Sequence, residues 1–424
     1  MKTILLMGGK PIGSTEIARY VKGQGDHLIV TDYLDPSDSP AKRLADEAWN
    51  VSTADIAELA QRCRRARVDA VMTGVHEFNI ERTIELCEAL GLPCWCDRRQ
   101  WDSFEDKPTF KRLCREHGIC VAREFCADDA GSVEFPVVVK PADGSGSRGF
   151  SKCHHADELA AAVAKAREFS PTGTAFVEEF VEGEAVIVHY TVHGGRAYFT
   201  GIADKHSERM GEGGAPIMAL QVAPSVHQAQ YLAEVDAKAR ALIESLGLRE
   251  APLWIEAFHR DGRFVFNEAG LRFGGSMTNH MVRALCGVDQ MALMYADATG
   301  EPYDMPRPEP REGVCYAVLP THLRAGRIAS VDGLDELEGD PNFVAAVLVH
   351  AVGDEISGWG SAQQVFAYLH FCSPNASGLM ASMKGALRTL SVRDDGGREL
   401  LTSLFDPSNT RAYPRFLVDD LNGE

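Results

Sequence analysis

The sequence predicts a multidomain chain in which an α/β module precedes an α+β unit and a small mixed module closes the order. Three observations carry that expectation. Short apolar runs alternate with helical patterns over roughly the first hundred residues, and longer β-rich stretches broken by helices follow. Proline then stands at every second position in Pro306, Pro308 and Pro310, which marks a linker. At 424 residues the chain also exceeds what one core sustains, and the expected modules are 1–105, 106–305 and 306–424.

Apolar runs at 4–7, 28–31 and 69–73 alternate with helical patterns at about 14–24, 54–66 and 79–90, a rhythm that predicts a parallel sheet with covering helices. Gly8, Gly9 and Gly13 lie in the first strand-to-helix turn, and Asp32 after the second strand is a partial echo of a dinucleotide site. Their spacing is not that of the dinucleotide fingerprint, so the module reads as Rossmann-like without a bound dinucleotide. A helix near 107–117, a β-rich stretch at 135–152, an alanine-rich helix at 157–169 and strands at 175–180 and 185–202 come next. A helix at about 227–246 leads to strands 253–259 and 263–268.

Composition excludes several classes of partner. With 43 basic against 61 acidic residues the formal net charge is −18, a field that repels nucleic acid and anionic membrane surfaces. An anionic nucleotide must then be held by local cations and a bound metal. The apolar run after Met1-Lys2-Thr3 is shorter than a signal-peptide core, and no stretch is long enough to span a membrane. The expected compartment is the cytoplasm. Eleven cysteines without regular spacing read as reduced packing residues, and Cys94 and Cys96 have poor spacing for zinc.

Four segments carry chemistry. Val137 to Val139 deliver Lys140 at a strand end, and a loop from Ala142 to Gly149 follows, rich in glycine and serine. Glycines let backbone N–H groups approach an anion while hydroxyls and the lysine add donors, which suits a polyphosphate. No G-K-[ST] is present, and no helix follows the loop, so neither a P-loop nor a dinucleotide loop applies. The plainer reading is a flexible hairpin with a surface lysine. Phe176 to Glu184 is an apolar strand turning acidic, fit for an adenine slot and a ribose contact, or simply a strand end with solvated glutamates.

Glu256 and Glu268 lie on two strands joined at Asp261-Gly262, each among large apolar residues where an unpaired charge is costly. Carboxylates on facing strands are what magnesium with ATP phosphates requires. A strict two-residue turn places Glu256 opposite Asn267, whereas a bulge at Gly262 places it opposite Glu268. Asp204 to Gly214 is polar and glycine-rich, equally readable as a closing loop or a solvated connection.

Order and spacing together resemble the ATP-grasp superfamily across residues 1 to about 305. The resemblance is to the branch of biotin carboxylase, the carbamoyl-phosphate synthetase large subunit, glycinamide ribonucleotide synthetase and the L-amino acid ligases. Gly326 to Asp332 and Gly353 to Ile356 look like the small C-terminal domain of those ligases. The resemblance implies an ATP-grasp fold behind a pre-ATP-grasp domain, with a small lid lobe at about 112–176 and a metal-binding lobe at 177–305. It implies that Lys107 and Lys140 contact ATP phosphates and that Ser145, Gly146 and Ser147 form the phosphate lid. Glu178, Glu179 and Val181 would line the adenine slot, with Glu184 on ribose. Glu256 and Glu268 would hold magnesium, or manganese in its place, and Arg272 would steady the reacting acyl group. Gly270 stands where the E-x-N-x-R motif has its asparagine, so either two ligands suffice or Asn267 contributes.

The activity so implied is an ATP-dependent carboxylate-amine ligase working through an acyl phosphate, on small-molecule substrates contacted by Arg272 and the segment Lys205 to Arg209. Lys140, Lys205 and Arg272 are the expected catalytic residues. Bicarbonate activation of the carboxylase or carbamoyl-phosphate synthetase kind, and a regulatory ATP-binding protein, are the alternatives. Dimers are common among such relatives.

Overall fold

The computed structural model describes residues 1–10, 12–127, 131, 133–142, 149–209, 216–358, 362–408 and 413. The chain begins with β1 (Thr3–Met7), α1 (Ser14–Gly23), β2 (His27–Asp32), β3 (Glu47–Asn50), α2 (Ile56–Ala66), β4 (Ala70–Thr73) and α3 (Glu77–Leu90). The strands form a parallel sheet in the order β3-β2-β1-β4. Helices cover both faces, so β1 has no polar face: Ile4 and Leu6 pack with Ile17 and Val21, while Leu5 and Met7 pack with Leu59 and Leu86. Each such aliphatic side chain contributes about 1.5–3 kcal/mol by leaving water. The edge strand β3 was not foreseen. Of its four residues only Trp49 is buried, so no apolar run announces it.

Asp32 has a structural use. Its carboxylate accepts from the Gly9 amide at 2.8 Å and from Ser39 Oγ at 2.7 Å, and it pairs with the buried Lys42 at 2.8 Å. No oxygen of this carboxylate is left for a ribose, in keeping with the absence of a dinucleotide fingerprint.

Two helices follow. A capping box formed by Asp97 and Gln100 starts α4 (Arg98–Glu105), and Asp106 caps α5 (Lys107–Glu116), whose second residue is Pro108. A four-stranded antiparallel sheet then combines β6 (Glu124–Phe125), β7 (Val137–Pro141), β8 (Ser151–Cys153) and β9 (Ala175–Glu179), in the order β6-β9-β7-β8, with α6 (Ala156–Glu168) packed on it. The preceding β5 (Cys120–Val121) belongs to the larger sheet instead.

That larger sheet has ten strands. Its middle is built from β10 (Glu184–His193), β11 (Arg196–Arg209), β12 (Pro216–Ala223), β13 (Ala251–Arg260) and β14 (Arg263–Gly270). The stretch 185–202 is a hairpin that reverses at Gly194-Gly195, both at positive φ. The helix expected at 227–246 is two, α7 (Gln228–Glu234) and α8 (Asp236–Ser245), separated at Val235. Then come α9 (Asn279–Cys286) and α10 (Gln290–Thr299).

Beyond the proline-spaced segment, β15 (Cys315–Leu323) pairs with β12 through Gln221 and Val318, so the sheet continues without a break. The last part holds β16 (Gly326–Arg327), β17 (Ser330–Asp332), α11 (Leu334–Leu337), β18 (Phe343–Leu348), β19 (Glu355–Ile356), β20 (Val365–Ser373), α12 (Ala376–Thr389), β21 (Ser391–Arg393) and β22 (Leu401–Thr402). The sheet order is β18-β20-β15-β12-β11-β10-β13-β14-β5, with β22 against β15. The two segments singled out in the sequence meet, because β16 pairs with β19. Among the described residues no helix is long and apolar enough to cross a membrane. Seven cysteines are buried and two half-buried, but Cys120 and Cys126 are exposed, so packing does not account for all eleven.

Candidate active site

A cavity of about 820 Å³ lies between the four-stranded sheet and the middle of the ten-stranded one. Its lining brings together Lys107, Lys140, Glu178, Glu179, Val181, Glu184, Lys205, Glu256, Asn267 and Glu268. Arg272 is absent from the described lining. Ser145, Gly146, Ser147 and residues 210–214 fall outside the described residues.

The floor of the cavity is set by the register of β13 and β14. Arg260 pairs with Arg263, so the connection is a two-residue turn with Asp261 and Gly262 both at positive φ, as Asp-Gly favours. Continued unbroken, that register puts Glu256 opposite Asn267. A bulge between Glu256 and Ala257 shifts it by one, and Glu256 faces Glu268. The bulge therefore falls at Asn267 and not at Gly262. Two successive residues, Asn267 and Glu268, consequently line the same cavity. Asn267 donates from Nδ2 to Glu256 Oε1 at 2.8 Å, and its Oδ1 accepts from Lys140 Nζ at 3.4 Å.

Lys205 is paired with Glu256 Oε2. Burial by itself pushes the Glu256 carboxyl up, but the Lys205 ammonium and the Asn267 amide hold it below its ordinary value. Burial opposes the charge on Lys205, and Glu256 outweighs it. Lys205 does not sit on a loop: residues 204–209 extend β11, where Lys205 pairs with Gln221 of β12. The polarity that suggested a loop belongs to a strand whose side chains enter the cavity.

On the opposite wall Lys140, next to last in β7, reaches Glu178 Oε1 at 2.5 Å. Burial and the charge of Lys107 pull the Lys140 ammonium down to about 8, against the attraction of Glu268 and Glu256. Glu178 is 3% exposed and carries a second lysine, Lys111, on its other oxygen. Lys111 stands one turn after Lys107 on α5, fully buried beside Phe110 and Cys114. Sequence reading missed it, although its place on the apolar face of an amphipathic helix is a signal that it needs a buried partner. Glu179 pairs with Arg260 at 2.8 Å, and Glu184, 60% exposed, accepts from His227 Nε2 at 2.7 Å.

Arg272 is held elsewhere. Its Nη2 donates to Glu77 at 2.7 Å, and its guanidinium carbon lies 5.2 Å from the centre of the Trp254 ring. Glu77 and Glu105 were also unforeseen. Burial lifts the Glu105 carboxyl to about 7, opposed by Arg272 and reinforced by Glu77 and Glu268.

Facing cations and hard carboxylate oxygens across one cleft are what a polyphosphate with a divalent ion needs, and two β lobes supply them here. Residues 133–280 match the family model of the ATP-grasp domain. An ATP-grasp domain is thus identified over residues 133–280 of the chain.

Solved structures share the fold over nearly the whole chain. The L-amino acid ligase of Bacillus licheniformis superposes with a TM-score of 0.74 at 17% identity, over 93% of this chain and 99% of that one. Phosphoribosylglycinamide synthetase of Anaerococcus prevotii gives 0.72 at 15%, over 93% and 100%. A biotin carboxylase complex from Campylobacter jejuni gives 0.76 at 16%, over 99% and 97%. No curated protein sequence matches the chain at a significant level.

Proposed function

We propose that the chain is an ATP-dependent carboxylate-amine ligase, with residues 106–305 as its ATP-grasp unit and 1–105 and 306–424 as flanking modules. The observation that supports this most directly is the Glu256–Glu268 pairing on the cavity floor, facing Lys140 and Lys205. Two carboxylates face each other there beside the amide of Asn267, an oxygen donor set that fits a hard cation once the ion displaces the Lys205 ammonium from Glu256. Glu256, Glu268 and the Asn267 amide oxygen would hold magnesium, which when bound neutralises phosphate oxygens.

The chain's own residues then act by placement and charge. Lys107 and Lys140 hold the phosphates, Val181 and the backbone around Glu179 border the adenine, and Glu184 accepts from the ribose hydroxyls. Ser145, Gly146 and Ser147 complete the phosphate contacts. An oxygen of the substrate carboxylate attacks the γ-phosphorus, the bond to the β-phosphate oxygen breaks, and ADP leaves. The amine nitrogen next attacks the acyl-phosphate carbonyl, phosphate departs with the bonding pair, and an amide remains after proton loss from nitrogen. Arg272 and Lys205 contact the acid, Arg272 after exchanging Glu77 for the substrate.

The similarity of fold to an L-amino acid ligase supports an amino acid as the acid, and the similarity to a biotin carboxylase favours bicarbonate as a second reading. Magnesium-dependent ADP release, measured with pooled acids, amines and bicarbonate, separates them. Release that needs an acid and an amine together and is lost in Glu268→Gln is the expected result. Release with bicarbonate alone supports the second reading, and tight MgADP binding with no release in any arm overturns both.

A further inference from the structure

At one end of the cavity three elements converge on a group the ligase reading uses only in part. Glu184 opens β10, His259 is its direct cross-strand partner on β13, and His227 immediately precedes α7. Their ligand atoms all lie within 4.8 Å of one another. Glu184 Oε2 is 2.7 Å from His227 Nε2 and 3.8 Å from His259 Nδ1. Both imidazoles are largely shielded, at 15% and 16% exposure, while the carboxylate faces solvent and leaves a path for an ion and a water.

A neighbouring amide fixes which nitrogen of His259 is available. Gln230 donates its NH₂ to Glu234 Oε2 at 3.1 Å and to the Gly262 carbonyl at 2.8 Å, so its oxygen is turned to His259. That oxygen lies 3.0 Å from His259 Nε2, which must therefore donate. The Nδ1 lone pair is left pointing toward the carboxylate, an arrangement typical of a metal-bound histidine with an outer hydrogen bond.

We propose that Glu184, His227 and His259 form a site for a borderline transition dication of the zinc class, separate from the carboxylate pair, and that this ion and the nucleotide exclude each other. Two imidazoles, one carboxylate and a water are the donor set such ions take, whereas magnesium prefers oxygen. The imidazoles stack at 3.9 Å with 29° between their planes, so binding fans them apart. His227 Nε2 exchanges its bond to Glu184 for a bond to the ion and releases its proton to solvent. The exclusion of nucleotide rests on the proposed role of Glu184 at the ribose; the metal site does not.

Cobalt(II) absorption titrations of the full chain, in buffer containing magnesium, test both halves. The expected result is one equivalent bound with the intense visible band of tetrahedral cobalt, and loss of MgADP-free binding by about tenfold or more in His259→Gln and, separately, in His227→Gln. Glu256→Gln should leave the band intact, and MgADP should displace the ion. Unchanged binding in both folded histidine variants, or loss of the band in Glu256→Gln, overturns the site. A retained site from which saturating MgADP displaces nothing overturns the exclusion and with it the ribose role of Glu184, leaving the ligase reading to its own assay.

Discussion

The indole of Trp254 occupies the space that any side chain at Gly270 would need. The two residues are cross-strand partners, and a β-carbon at 270 would lie 2.6 Å from Cε2, Cζ2 and Nε1 of that ring. The motif's asparagine is thus excluded by packing, and the same ring supports the guanidinium of Arg272.

Gly270→Ala should therefore destabilise the fold by about 1–3 kcal/mol, the usual cost of overfilling a packed site. Adding Trp254→Leu should recover most of that loss. Denaturant unfolding of the two single variants and the double variant measures the coupling; strictly additive effects would contradict the clash.

Lys205→Met should leave Glu256 facing Glu268 without its paired ammonium. Stability in a chelator is expected to fall by about 3 kcal/mol, the scale for breaking a buried ion pair. Magnesium should then raise the melting temperature of the variant more than that of the wild type, because the ion no longer competes with an ammonium for Glu256. Equal magnesium shifts in both proteins would remove Lys205 from this role.

Lys111→Met tests the buried pair behind the Lys140 wall of the cavity. Glu178 keeps Lys140, so the expected loss is near the lower end for a broken buried pair, about 3 kcal/mol in urea unfolding. A loss below about 1 kcal/mol would mean the pair is solvated in solution.

Asp354, which does not line the cavity, gives a pH signature of its own. A hydrogen bond from His350, and with it the Ala351 amide and Lys10, hold its carboxyl well below its ordinary value of 3.8, against the effect of burial. A depressed folded-state pKa adds stability that is present above the unfolded value and fades as pH falls through the folded one. Asp354→Asn should cost about 1 kcal/mol near neutrality. That difference should close as pH drops below about 4. A gap that stays constant down to the acid unfolding limit would refute the assignment.

The twelve-residue spacing of Glu256 and Glu268 was legible in the sequence because two apolar strands flank a turn that names itself. The location of the bulge was not. Asp-Gly fixes a tight turn locally, and the register shift appears five residues further on, where cross-strand packing decides it. Partnerships such as Arg272 with Glu77, 195 residues apart, or Lys111 with Glu178, 67 apart, leave no periodic trace that a window of neighbours could reveal. Lys205 shows the opposite failure: polar composition suggested a loop, but a strand lining a wet cleft needs polar side chains too.

The pairing of β12 with β15 carries a consequence for how this molecule comes apart. Cutting the chain in the proline-spaced segment would strip β12 of its neighbour and leave two raw strand edges, each a template for aggregation. The C-terminal portion is then not a detachable accessory. Its residues and those of the cleft should melt in a single cooperative event, so damage near residue 318 is felt in the cavity as lost protein rather than as altered chemistry.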